Sequence, residues 1–212
     1  MRAPTCVIYN PAAGRGRAEK FLGELRATPG DEIEFRPSRE PWHAVELARI
    51  AADEGFTRVV AAGGDGTVHE VANGVLASER RDVAFGVWPI GSANDYAYSL
   101  GMTEWWKKRF DRPPTEFVEV DVGQVTSAGR KRYFVGNFGL GFNGMVNAEA
   151  LKTRWLTGMP LYAWAFLKAI VKHFAKPTMT IRFDDHEVTV PTLALSVLNC
   201  SGRWSAPRCG SI

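Results

Sequence analysis

The stretch Arg58-Val59-Val60-Ala61-Ala62-Gly63-Gly64-Asp65-Gly66-Thr67 decides the fold of this chain. Its uninterrupted apolar run is typical of a strand that is buried on both faces of a parallel sheet. The spacing of apolar residues after Thr67 predicts a helix. Glycines between a buried strand and a helix N-terminus let backbone N–H groups approach the oxygens of a phosphate. The stretch therefore predicts an α/β domain with a phosphate-binding loop.

Strand-like and helix-like segments alternate on both sides of this stretch. The predicted strands are residues 6–10, 32–36, 58–62 and 84–89. The predicted helices are residues 18–26, 42–54 and the segment that follows Thr67. Strands that are separated by single helices form a parallel sheet with right-handed connections. Residues 1–115 are therefore predicted to be one α/β domain with a parallel sheet.

A polar, proline-rich segment at residues 111–114 predicts a domain boundary. Beyond it the chain has a mainly β pattern, with one helical segment at residues 160–176. The predicted strands there are residues 117–125, 133–138, 179–183, 187–190 and 193–198. Residues 116–212 are therefore predicted to be a second, β-rich domain.

Composition excludes several classes of protein. The 212 residues carry a net charge of +3, which is too small to predict nucleic-acid binding without a focused basic patch. The three cysteines lack a metal-binding spacing and are too few for a disulfide framework. The longest apolar stretch, residues 161–167, is far shorter than the ~20 residues that span a bilayer. Because the N-terminus also lacks a secretory signal pattern, we expect a cytoplasmic protein with no nucleic-acid partner.

Two further loops follow predicted strands at equivalent places. Residues 10–16 follow the first strand, and residues 89–95 follow the fourth. Because the carboxyl ends of parallel strands share one edge, we expect both loops to lie beside the 63–67 loop. In that loop, Asp65 could hold Mg²⁺ or its waters, and Thr67 could bind phosphate or cap the helix. A purely structural Asp-Gly turn is the alternative, although two preceding glycines are more than such a turn needs.

Three motifs carry a family resemblance. They are Asn10-Pro11 with Gly14, the run Gly63-Gly64-Asp65-Gly66-Thr67-Val68-His69-Glu70-Val71-Ala72-Asn73-Gly74, and Pro89-Ile90-Gly91-Ser92-Ala93-Asn94-Asp95-Tyr96-Ala97. Together they resemble the diacylglycerol kinase catalytic domain family, which includes sphingosine and ceramide kinases and bacterial lipid kinases. The resemblance implies transfer of the γ-phosphoryl group of ATP, with Mg²⁺, to a diacylglycerol-like or sphingoid hydroxyl. It also implies a nucleotide-binding α/β domain followed by a sandwich-like β domain.

The resemblance also assigns site residues. It places nucleotide binding at Asn10, Pro11, Ala12, Ala13, Gly14, Ser38, Gly63, Gly64, Asp65, Gly66, Thr67, Val68, His69 and Ser92. Ser38 and Ser92 stand where the family commonly has Thr, and both keep a hydroxyl that can bind phosphate. Asp65 and Asp95 are the candidate catalytic and Mg²⁺-ligating residues, although either could instead cap or brace its loop. Glu70, on the following helix, is expected to brace the structure.

The C-terminal segment departs from the family pattern. Family members carry, beyond the position of Asn199, an acidic residue thought to act as general base on the lipid hydroxyl. This chain has no carboxylate side chain after Glu187. We therefore expect a second domain that is truncated at its C-terminus, with an open sheet edge that favours a homo-oligomer. A catalytically impaired nucleotide-binding fragment is one alternative function that follows.

A second alternative is a soluble-substrate kinase, because NAD kinases and phosphofructokinases share the Gly-Gly-Asp-Gly-Thr loop. The Asn10-Pro11 loop and the 70–74 extension favour the lipid branch. A lipid substrate implies peripheral contact with a membrane surface, and two segments could provide it. Residues 105–110 combine paired Trp with three cations, and Lys168, Lys172 and Lys176 form a stripe on the 160–176 helix. A buried linker anchor and a core helix are the respective alternatives.

Overall fold

The computed structural model describes residues 4–16, 18, 22–23, 33–91, 93–102, 117–153, 156, 159–173 and 175–199. These residues fall into two compact units, Met1–Gly136 with Asn199–Ile212, and Asn137–Leu198. The predicted boundary at residues 111–114 lies outside the described residues. The division into residues 1–115 and 116–212 therefore stays a prediction.

The first unit contains a four-stranded parallel sheet and its helices. The strands are β1 (Thr5–Tyr9), β2 (Ile33–Pro37), β3 (Arg58–Gly63) and β4 (Ala84–Pro89). The helices are α1 (His43–Asp53), α2 (Asp65–Ala77) and the short α3 (Asp95–Ser99), with a 3₁₀ turn at Ala13–Gly16. The strand order is β2-β1-β3-β4, and each neighbouring pair is parallel. The predicted parallel α/β fold is confirmed.

Strand β3 is buried on both faces of this sheet, as its apolar run predicts. On one face, Val59 and Ala61 join a core with the apolar side of α1 and α2. On the other face, Val60 and Ala62 pack with Trp88 in a second cluster. Because side chains alternate between faces along a strand, an unbroken apolar run supplies both cores.

Helices α1 and α2 pack closely because residue 74 has no side chain. A Cβ at Gly74 would overlap the carbonyl oxygen of Val45 and lie 2.6 Å from the Cβ of Ala48. The first unit also contains the antiparallel hairpin of β5 (Gly123–Ser127) and β6 (Arg130–Phe134). The amide of Asn73 joins this hairpin to α2. It donates to the carbonyl of Tyr133 at 2.9 Å and accepts from the N–H of Tyr133 at 2.9 Å.

The second unit combines antiparallel strand pairs with two helices. Its strands are β7 (Asn137–Gly141), β8 (Thr178–Phe183), β9 (His186–Pro191) and β10 (Ala194–Leu198). Its helices are α4 (Phe142–Lys152) and α5 (Met159–His173). Strand β7 pairs with β10, and β8 pairs with β9. Phe142 of α4 meets Phe166 of α5 edge-on, with ring centroids 5.4 Å apart. The prediction of antiparallel strands after the α/β domain is confirmed.

Helix α4 lies in a segment for which the sequence predicted no strand or helix. Two other details of the predicted second domain are wrong. Residues 117–122 are not in a strand, and the predicted strand at 117–125 begins only at Gly123. The predicted strand at 133–138 is interrupted at Val135 and Gly136, where the chain bends from β6 into β7. Among the described residues, no helix combines the length and hydrophobicity that a membrane span requires.

Candidate active site

The carboxyl edge of the parallel sheet brings the predicted loops together. The N–H of Ser38, after β2, donates to the carbonyl of Tyr9 at 2.8 Å. The N–H of Asn10, after β1, donates to the carbonyl of Ala62 at 3.2 Å. The N–H of Gly91, after β4, donates to the carbonyl of Gly63 at 3.1 Å. Four loops therefore line one edge in the order of their strands, where open α/β sheets bind ligands.

The first loop is shaped by the side chain of Asn10. Its Oδ1 accepts the N–H of Ala12 at 2.9 Å, and its backbone carbonyl accepts the N–H of Ala13 at 2.9 Å. This is an Asx turn, in which a side chain takes the place of a backbone acceptor. Gly14 follows with a φ of 59°. Asn10 therefore holds the loop, while the exposed Ala12 lies at its surface.

The loops after β3 and β4 touch each other through glycines. A Cβ at Gly91 would overlap the Cα of Gly64, and a Cβ at Gly64 would lie only 3.3 Å from the Cα of Gly91. A Cβ at Gly63 would lie 2.6 Å from the Cβ of Thr67. Gly66, in contrast, faces open space. The glycines thus serve two purposes, since some allow backbone contact and Gly66 leaves the helix N-terminus uncovered.

Asp65 joins these two loops through its carboxylate. Its Oδ2 accepts the N–H of Asn94 at 2.9 Å, and its Oδ1 accepts the N–H of Tyr96 at 3.2 Å. Both donors lie at the start of α3, where backbone N–H groups lack partners within the helix. Asp65 therefore braces the β4 loop, which is one of the two roles that the sequence left open for it.

Asp95 has a different environment from Asp65. Its carboxylate has no hydrogen-bond or ion-pair partner among the residues that the structure describes. Burial raises the pKa of Asp95, and the neighbouring charge of Asp65 raises it further. The preceding Asn94 has a φ of 59°, and its Nδ2 donates to the carbonyl of Gly91 at 3.0 Å. The Oδ1 of Asn94 is buried and without a partner in the described part of the chain.

The residues after Gly66 point mainly into the protein. The side chains of Thr67 and Val68 are buried, and Val68 belongs to the core between the sheet and the helices. His69 meets Trp42 edge-on at 5.9 Å, and its pKa is lowered by burial and then by the charge of Arg132. Glu70 accepts the N–H of Ala44 at 3.3 Å, at the start of α1. Glu70 thus braces the structure, as predicted.

The donor chemistry around Asp95 fits a magnesium ion that also binds a nucleotide. Mg²⁺ prefers oxygen ligands, and nucleotide enzymes hold it with one or two carboxylates, substrate phosphates and water. Asp65, Asp95 and the unpartnered Oδ1 of Asn94 are oxygen donors in neighbouring loops. Among the described residues, no group of three or more His, Cys, Asp or Glu side chains forms a complete metal cage. Phosphate oxygens and water would complete the coordination.

The predicted site omits two residues of the loop after β4, although both belong to a motif that the sequence contains. Gly91 and Asn94 belong to the 89–95 motif, and they build the contact between the β3 and β4 loops. Ser92, the 105–110 segment and the tail after Asn199 lie outside the described residues. The nucleotide and metal roles assigned from the sequence stay predictions.

Comparison with known proteins agrees with the motifs. The family model of the diacylglycerol kinase catalytic domain matches residues 4–125. A protein of Chromohalobacter salexigens, named "Probable lipid kinase YegS-like", is 35% identical over 201 residues, which cover 91% of this chain and 61% of that protein. A "Diacylglycerol kinase" of Bacillus subtilis is 36% identical over 99 residues, which cover 45% of this chain and 32% of that protein.

The fold also has relatives among solved structures. The crystal structure of a diacylglycerol kinase from Bacillus anthracis aligns with a TM-score of 0.66 at 22% identity, over 93% of this chain and 64% of that one. This likeness supports the fold. The chain spans less than two thirds of the length of these relatives. By the family match over residues 4–125, the chain belongs to the diacylglycerol kinase catalytic domain family.

Proposed function

We propose that this chain uses ATP and Mg²⁺ to phosphorylate a lipid hydroxyl, either diacylglycerol-like or sphingoid. The observation that carries the proposal is the contact between the glycine loops after β3 and β4, which Asp65 braces from one loop to the other. A purely structural turn after β3 would not need Gly91 from a second loop to meet Gly64. The arrangement keeps backbone N–H groups and oxygen donors close together at the ligand-binding edge of the sheet.

Helix α2 supports phosphate binding at this edge. Its N-cap is Gly64, and the N–H of Val68 makes the first bond within the helix, to the carbonyl of Gly64 at 3.0 Å. The preceding N–H groups of a helix have no such partner, and the helix dipole favours negative charge there. Phosphoryl transfer needs mainly positioning and electrostatic stabilisation, so a rigid loop pair of this kind suits the reaction.

Asp95 and Asp65 are the residues that would hold Mg²⁺, with the buried Oδ1 of Asn94 nearby. When bound, Mg²⁺ would neutralise phosphate charge in the transition state. Asp95 has the uncommitted carboxylate, whereas both oxygens of Asp65 already accept backbone N–H groups. We therefore expect Asp95 to contribute more directly to metal and nucleotide binding and Asp65 to keep the loop in place.

The lipid side of the proposal rests on relatives whose names describe lipid or diacylglycerol kinases. A kinase that acts on such an acceptor works at a membrane surface, so we propose a peripheral protein with nucleotide and lipid as its partners. The test incubates the chain with labelled ATP, Mg²⁺ and mixed micelles of diacylglycerol, sphingosine, ceramide or phosphatidylglycerol. NAD and fructose 6-phosphate serve as soluble acceptors in parallel reactions.

Transfer of label to one of the lipids would support the proposal. Transfer to a soluble acceptor alone would favour the soluble-substrate alternative, and nucleotide binding without transfer would favour an impaired nucleotide-binding fragment. An Asp95→Asn variant should lose at least about tenfold in Mg²⁺-dependent ATP affinity, because a charged metal ligand becomes neutral. The exposed Asp185, in the turn between β8 and β9, gives a matched Asp185→Asn control that should bind ATP normally.

A further inference from the structure

A groove of about 620 Å³ opens on the first unit, between helices α1 and α2 and strand β6. We call it the hairpin groove. Its lining includes Trp42 and Arg49 from α1 and its N-cap, Asn73 from α2, and residues 130–133 of β6. No role has been assigned to this groove in the proposed reaction. Asn73 holds β6 against α2 by two hydrogen bonds to Tyr133, so the groove is a built feature of this unit.

The hairpin groove is strongly basic. Four cations line it, namely Arg49, Arg130, Lys131 and Arg132, against one carboxylate, Glu46. Arg49 is paired with Asp53 at 2.8 Å. Arg130 and Lys131 are exposed at the end of the hairpin and have no ion pair in the described part of the chain. The chain as a whole has a net charge of only +3, so this concentration of positive charge is local.

An aromatic ring lies inside this cationic surface. The guanidinium carbon of Arg132 lies 3.8 Å from the ring centroid of Trp42, and 47% of Trp42 remains exposed. Trp42 has a φ of 71°, which is rare for a bulky residue and costs backbone energy. Arginine beside a half-exposed tryptophan is suited to the headgroup layer of a membrane, where aromatic rings and cations are enriched.

We propose that the hairpin groove, with the exposed tip of the β5–β6 hairpin, is the surface by which this protein docks on anionic phospholipid membranes. Arg130 and Lys131 would contact headgroup phosphates, while Trp42, held by Arg132, would enter the interface. Complementary charge selects an anionic membrane over a neutral one. The biological purpose of this docking rests on the proposed lipid kinase function. Docking itself requires no phosphoryl transfer, so the two proposals can fail separately.

The test measures sedimentation of the chain with vesicles of phosphatidylcholine alone or mixed with phosphatidylglycerol, without nucleotide. We expect binding to the anionic vesicles, and a double variant Arg130→Glu with Lys131→Glu should bind about 30-fold more weakly or worse. The matched control, Lys168→Glu with Lys172→Glu on α5, makes the same change in net charge on the alternative lysine stripe. It should keep most of the vesicle affinity.

A Trp42→Asn variant separates the ring from the fold, because asparagine tolerates a positive φ better than tryptophan. It should melt at the same or a higher temperature and bind anionic vesicles several-fold more weakly. Equal vesicle binding by the hairpin double variant and the unmodified chain would overturn the proposal, as would a larger loss from the α5 control. The proposal would also be overturned if the groove bound inorganic phosphate saturably while the chain bound neutral and anionic vesicles equally well. That result would favour a small phosphate ligand.

Discussion

Strands β3 and β9 contain similar β-branched residues but have opposite environments. In β3, Val59 is fully buried and Val60 is 4% exposed. In β9, Val188 and Val190 are 43% and 39% exposed. Strand β3 has parallel partners on both sides, whereas β9 pairs with β8 alone among the described strands. Backbone pairing is therefore enough to form a strand, whereas a core also requires apolar packing against the faces of that strand.

This contrast matters for function because the candidate site depends on the packed region. The glycine loops at residues 63–67 and 89–95 emerge from β3 and β4, which are held between two apolar clusters. Catalytic groups must be held in a narrow range of geometries, and rigid elements do this better than loops. We therefore expect small changes in the first unit to alter nucleotide binding, and equivalent changes in the second unit to have little effect on it.

The largest effect should come from Gly74→Ala, where α1 and α2 touch. The new Cβ would overlap the carbonyl oxygen of Val45 and press on Ala48, so the two helices would have to separate. We expect a loss of about 3 kcal/mol in the free energy of unfolding, measured by urea denaturation.

Gly144→Ala in α4 is the matched control in the second unit, because a Cβ there meets no atom within 4 Å. Alanine is the better helix former, so this variant should be more stable by about 0.5 to 1 kcal/mol. The two Gly→Ala substitutions would then change the free energy of unfolding in opposite directions. If Gly74→Ala were as stable as the parent chain, close packing of α1 on α2 would not be what holds the first unit.

The next effect compares Val59→Ala with Val188→Ala. Removing buried methyl groups from β3 should cost about 2 to 3 kcal/mol, since the surrounding core cannot fully close the cavity. The same change on the exposed face of β9 should cost less than about 0.5 kcal/mol. Equilibrium unfolding, followed by circular dichroism, gives both values. Similar losses at the two positions would contradict the difference in burial between the strands.

The sequence predicts the packed region well because its signals are local. The run from Arg58 to Thr67 contains a buried strand, a glycine loop and a helix start within ten residues, and all three are found. Helix α4 escaped prediction because its apolar residues do not share one face. Phe142 is buried there, while Met145 and Leu151 are 44% and 83% exposed. Without a clear period, burial in a helix cannot be told from burial in a strand.

The contacts that complete the site could not be predicted from sequence, because they join distant positions. Asp65 accepts the N–H groups of Asn94 and Tyr96, about 30 residues further along the chain. Arg132 reaches Trp42 across 90 positions. The motif predicts that the loop binds a ligand, but which carboxylate braces the loop and which has no partner depends on tertiary structure.

The third prediction concerns Asp65, whose carboxylate is fully hydrogen-bonded at the candidate site. Asp65→Ala removes two hydrogen bonds from the start of α3 and leaves the N–H groups of Asn94 and Tyr96 without their acceptor. We expect a loss of about 1 to 2 kcal/mol in unfolding free energy. ATP affinity should fall as well, because the β4 loop is no longer fixed beside Gly64. Thermal unfolding and calorimetric titration with ATP and Mg²⁺ measure the two effects.

An Asp65→Ala variant that is as stable as the parent chain would contradict the bracing role. If its stability fell while its ATP affinity did not change, the braced loop would be irrelevant to the nucleotide.

The smallest effect should come from Asp95→Asn in the absence of nucleotide. Burial and the charge of Asp65 raise the pKa of Asp95 above its ordinary value of 3.8, so the ionised form is disfavoured in the folded chain. At neutral pH, where this carboxyl is ionised, the neutral amide should therefore stabilise the fold by a few tenths of a kcal/mol.

As the pH falls through the raised pKa, the carboxyl of the parent chain takes up a proton and its charge no longer opposes folding. The advantage of the amide should then disappear. At pH values below the pKa of this carboxyl in the unfolded chain, the difference in unfolding free energy between the two proteins should no longer change with pH. Unfolding curves at neutral and mildly acidic pH give this difference directly. A variant that is less stable than the parent at neutral pH would show that the Asp95 carboxylate has a stabilising partner, and Asp95 would then resemble Asp65 rather than contrast with it.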